Sequence, residues 1–86
     1  MTMNITNGFA FLISVTTTSR WYDETRHYEF IDYIPTEEFW DYGEETNEEW
    51  VERILREAKI LPYISGYEAT ISMIGQEGYP KIKVKG

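Results

Sequence analysis

The chain contains no cysteine, so neither a disulfide framework nor a thiolate metal site can hold it together, and nothing points to an oxidising compartment. The cytoplasm is the default expectation. Histidine is nearly absent too. His27 stands alone, which leaves no paired histidines for a zinc centre and no nucleophile, base and orienter set in which to place it. It is read as a partly exposed strand residue beside Glu29. The three prolines are isolated and the six glycines scattered, so no linker, repeat or low-complexity segment divides the chain, and residues 1–86 read as one domain. Long apolar runs are missing as well: Phe9 to Val15 lacks a basic flank and falls far short of the about 20 residues of a membrane-spanning helix. Neither a signal peptide nor a membrane anchor is expected.

Basic residues are few. Eight lysines and arginines face fifteen acids, a net charge of −7, which disfavours attraction to nucleic acid or anionic lipid. Phosphate-cradling loops of the G-x-x-x-x-G-K-[ST] or G-x-G-x-x-G type do not occur, and Gly75 and Gly78 are better read as a hairpin turn. No cofactor or metal is called for. Asp41 to Glu52 has the length of a calcium loop. Its pattern fails, because Gly43 stands at a ligand position and Thr46 where the sharp-turn glycine belongs.

What the chain does have is apolar and aromatic weight. A hydrophobic fraction of 42%, with three tryptophans, seven tyrosines and four phenylalanines, excludes a disordered acidic polymer. A chain of 86 residues buries roughly 60 to 65 per cent of its unfolded surface, which supports one modest core. Charge is unevenly divided along it. Twelve acids lie between Asp23 and Glu52 against the single base Arg26, whereas Lys81, Lys83 and Lys85 follow the last acid, Glu77.

The residue pattern predicts an α+β fold of order ββαββ, an antiparallel sheet of about four strands with one amphipathic helix packed on it. Phe9, Phe11, Ile13 and Val15 alternate with Ala10, Leu12, Ser14 and Thr16, a strand placed centrally because both faces carry apolar residues. A turn near Asp23 and Glu24 returns the chain through Arg26 to Ile34, with Tyr28, Phe30 and Ile34 inward. Ile31 and Tyr33 break the alternation and suggest a twist, a bulge or burial of both faces. Thr46 and Glu49 form a capping box ahead of a stripe of Trp50, Val51, Ile54, Leu55 and Ala58. Glu49 with Arg53 and Glu52 with Arg56 are favourable pairs, Lys59 occupies the last turn and Pro62 stops the helix. Tyr67 to Met73 and Ile82 to Val84 read as a closing hairpin, its last strand made peripheral by Pro80 and the outward lysines. Residues 36–42 suggest a short helical turn ending at Gly43, or a structured loop.

The expected function lies in the acidic segment. Glu29 to Glu52 holds ten carboxylates and no base, threaded with aromatic rings. Acids two apart on a strand project about 6.7 Å apart, and i,i+4 neighbours on a helix about 6 Å apart, spacings loosely comparable to a nucleic-acid backbone. Trp40, Tyr42, Trp21 and Tyr22 fall in turns, where burial is hard to arrange, and such rings anchor binding hot spots. The reading is a non-enzymatic protein-binding module, an inhibitor that occupies a basic, nucleic-acid-binding groove of a partner protein. Glu37, Glu38, Asp41, Glu44, Glu45 and Glu48 are its charged contacts, with Trp40 and Tyr42 as anchors. Small phage-encoded anti-CRISPR and anti-restriction proteins block defence nucleases in this manner, an analogy of class alone. The second reading is an assembly module that homodimerises or docks through its aromatic surface.

Overall fold

The computed structural model describes residues 8–35, 45–75 and 78–86. Four strands, β1 (Gly8–Ser19), β2 (Thr25–Pro35), β3 (Ile64–Met73) and β4 (Ile82–Lys85), form one antiparallel sheet in the order β2-β1-β3-β4, with helix α1 (Asn47–Glu57) between the second and third. The α+β class, the ββαββ order, the central place of β1 and the peripheral place of β4 are all as the residue pattern predicts.

Strand alternation decides which face is covered. Phe11, Ile13, Val15 and Thr17 of β1 are buried and meet Tyr67, Ala69 and Ile71 of β3 in a core closed by Val51, Ile54 and Leu55 of α1. Tyr28, Phe30 and Ile34 of β2 turn to the same side; Ile34 is buried and the two rings are half-buried, stacked 6.2 Å apart. Ile31 and Tyr33 do not mark a bulge, since the β1–β2 ladder runs unbroken from Gly8↔Pro35 to Thr18↔Thr25. They lie on the opposite, outer face and are exposed. The register shift occurs instead between β1 and β3 at Thr18/Ser19.

Both bonds of the predicted capping box are present: Thr46 Oγ1 accepts from the Glu49 amide at 3.1 Å, and Glu49 Oε1 accepts from the Thr46 amide at 3.2 Å. That bond occupies Glu49 at the helix start. Arg53 is engaged by Glu45 at 3.0 Å, Glu57 at 3.7 Å and Asp32 at 3.8 Å. Glu52 likewise accepts from the Tyr67 hydroxyl at 3.2 Å rather than serving only the helix surface. Trp50, expected in the core, is half-buried: its ring meets Phe11 edge-on at 5.1 Å, and its indole N–H donates to Asp32 at 2.8 Å. A tryptophan at the core margin keeps its polar edge satisfied this way.

The helix ends earlier than its stripe suggests. Ala58 is the exposed C-cap, and the amides of Lys59 and Ile60 donate to the carbonyls of Arg56 and Leu55, the bond pair of a Schellman motif. Lys59 therefore holds the left-handed position, φ 61°, that glycine usually fills. Replacing it by glycine, Lys59→Gly, is expected to stabilise the fold by up to about 1 kcal/mol, measured by urea denaturation. Destabilisation would show that the lysine side chain supports the turn.

Candidate partner-binding surface

The sheet is longer than the helix that covers it. At the end away from the first turn of α1, a groove of about 340 Å³ opens between the β1–β2 connection and the chain leaving the helix. Its floor is made by Thr17 and Ile64, and its walls by Trp21, Tyr22, Tyr28, Ile60 and Tyr63. Backbone bonds fix both sides. The Ser19 amide donates to the Glu24 carbonyl at 2.9 Å, closing the connection, and the Arg20 amide donates to the Tyr63 carbonyl at 3.0 Å, tying it to the 3-10 turn Leu61–Tyr63. Pro62 is the second residue of that turn and immediately precedes Tyr63, so the proline that follows α1 also sets where Tyr63 is presented.

Trp21 is 62% exposed, Tyr22 71% and Tyr63 60%, values at which a large ring contributes little to the core. Trp21 and Tyr63 lie 6.0 Å apart at 60°, a pair supplied by segments distant in sequence. Polar groups rim the rings. Arg26 pairs with Glu24 at 3.3 Å, and hydrogen bonds to Tyr28 and Glu24 favour its charged form, raising its pKa. Lys59 also lines the groove. The surface offers rigid, amphipathic rings with indole and phenol donors, the composition of a protein-recognition hot spot.

The acidic candidates divide. Glu37, Glu38, Trp40, Asp41, Tyr42 and Glu44 lie outside the described residues, as does the proposed helical turn over residues 36–42. Glu45 is drawn inward: both its carboxylate oxygens accept from Arg53, at 3.0 to 3.4 Å, which engages it within the molecule. Glu48 is exposed on the first turn of α1 and stays available. Trp21 and Tyr22, aromatic residues in a turn, are where that reasoning put them. Tyr63 and Lys59 carry the same signal, an aromatic and a cation close to Pro62, but the sequence gives no local reason to join them to Trp21 and Tyr22.

His27 is exposed on the outer sheet face, its ring nitrogens 3.0 Å from Ser14 Oγ and 3.1 Å from Thr16 Oγ1. A serine beside a histidine has the first two parts of a nucleophile and base. Here the second ring nitrogen meets a hydroxyl rather than a carboxylate, on the open face of a sheet, so the orienting charge of such a triad is not supplied. Among the described residues no group of three acids, histidines or cysteines is placed to hold a metal ion, and no helix is long and apolar enough to cross a membrane. No protein-family model, curated protein or solved structure matches the chain.

Proposed function

We propose that this protein is a non-enzymatic binding module whose aromatic groove anchors a basic partner protein, with carboxylates of the acidic segment engaging the partner's cations. The exposure of Trp21, Tyr22 and Tyr63 around one groove carries the reading. Exposed rings of this size, clustered and held by backbone bonds, contribute to association far more than to folding. The net charge of −7 supports a cationic partner, and Glu48 on the helix is free to meet it. An inhibitory role follows when the partner surface so covered is one that binds nucleic acid, because a polyanionic face competes with phosphates there.

The test is capture of partners from lysate by the wild-type protein and by Trp21→Ser/Tyr63→Ser, at low and high salt and with competing DNA. The double variant is expected to weaken binding at least about tenfold, an effect of about 1.4 kcal/mol, while keeping the wild-type circular dichroism. Raised salt weakens capture as well, since charge steers the encounter. Undiminished capture by the variant would remove the groove from the interface. Self-association that ignores salt would favour the assembly reading.

A further inference from the structure

The two edges of the sheet are built differently. β4 has four residues, flanked or occupied by Lys81, Lys83 and Lys85, and Lys85 pairs with Glu68 at 3.7 Å. Short length and outward lysines blunt an edge against further pairing. β2 has eleven residues, no lysine, and its only proline at the last position. Among the described residues it has neither the shortness nor the lysines that blunt β4.

The hydrogen-bond phase shows which groups it offers. The Ser19 amide donates towards β2, to Glu24, and the Ala10 carbonyl accepts from Ile74 beyond β3, so odd residues of β1 bond to β2 and even ones to β3. In the observed register odd residues of β1 face even residues of β2. The backbone N–H and C=O groups of Thr25, His27, Glu29 and Ile31 consequently point away from the sheet, and among the described residues they have no partner there. They recur about every 6.7 Å, the repeat an added strand needs.

Charge selects the occupant. Glu29 is exposed on this strand, Glu24 and Arg26 cancel at its start, and Arg53 is set against the three carboxylates of Asp32, Glu45 and Glu57 beside its far half. The flank is net anionic and disfavours a second copy of a chain of net charge −7. Arg26 and Tyr28 of the same strand also line the aromatic groove, so a chain laid on the edge runs into it. We infer that the β2 edge is a β-addition site for an extended, lysine- or arginine-rich segment of a partner protein, its backbone paired with residues 25–31 and its end seated in the groove. This rests on the protein-binding reading and gives it a geometry.

The probe is a synthetic peptide of alternating lysine and valine, added to the whole protein while amide hydrogen exchange is followed by NMR. Exchange at His27, Glu29 and Ile31 is expected to slow at least about tenfold, and a glutamate–valine peptide, or one N-methylated on alternate amides, should give no protection. Glu29→Pro removes the central outward N–H without touching the β1 ladder and should abolish the protection. Should that variant lose its circular dichroism, Glu29→Lys, which keeps the N–H and reverses the charge, is expected to weaken binding at least about tenfold. Unchanged exchange at the three amides, with or without binding elsewhere, overturns the inference. Protection of the same amides in a peptide-free dimer, seen by sedimentation, overturns the choice of occupant. If capture by the groove persists in Glu29→Pro, the edge is dismissed while the binding reading stands; if Trp21→Ser/Tyr63→Ser also captures normally, both fall.

Discussion

Leu55→Ala is expected to destabilise the fold by about 3 kcal/mol, enough to lower the melting temperature by roughly 12 to 24 °C in a domain of this size. Leu55 is fully buried, one of the three side chains, with Val51 and Ile54, that α1 places in the core. An eleven-residue helix is marginal in water by itself, so its helicity depends on that attachment. Shortening leucine to alanine removes transferred apolar surface and leaves a cavity in the buried cluster that also contains Ile13 and Val15, which are themselves fully buried. Ile31→Ser, on the exposed outer face, should stay within about 0.5 kcal/mol of wild type. Urea denaturation of the two variants checks the contrast. A loss below about 1 kcal/mol for Leu55→Ala would mean that the helix contributes little to the core.

Alkaline pH should weaken the protein through one residue. Tyr67 is 6% exposed, and burial first, then the Glu52 carboxylate that accepts its hydroxyl, pushes its pKa up to about 12. In the unfolded chain a tyrosine ionises near pH 10, so the folded state holds the proton more tightly. The corresponding stability is fully present below about pH 10 and is lost as pH rises towards about 12, a fall of about 2 to 3 kcal/mol. Tyr67→Phe has no such proton. Its stability, lower by about 1 kcal/mol at neutral pH for want of the hydrogen bond, should decline less steeply across that window. Parallel curves for wild type and variant between pH 10 and 12 would show that Tyr67 ionises alike in both states.

Local pattern carried much of the fold. Alternation from Phe9 to Val15, the Thr46–Glu49 box and the lysines of the last strand each act through neighbours a few residues away, and each element stands where its pattern placed it. Long-range partners were harder to read. Helical spacing pairs Arg53 with Glu49, but Glu49 closes the cap, and the guanidinium reaches Asp32 on β2 and Glu45 ahead of the helix. Ile31 and Tyr33 show a related effect: apolar residues on an outer face mimic an irregular strand in the sequence, although the ladder here is regular. The groove was half visible, since Trp21 and Tyr22 announced themselves as aromatic turn residues. Its other wall, Lys59 to Tyr63, comes from chain some forty residues away, and only the strand order brings the two together.

An affinity-captured partner bound to isotope-labelled protein would give the most direct test, through the amides whose exchange it slows. Slowing at residues 19–31 and 59–64, around Trp21, Tyr63 and the β2 edge, is the predicted footprint. Slowing confined to residues 78–86 at the lysine-bearing edge, with those rings as solvent-accessible as before, would contradict it.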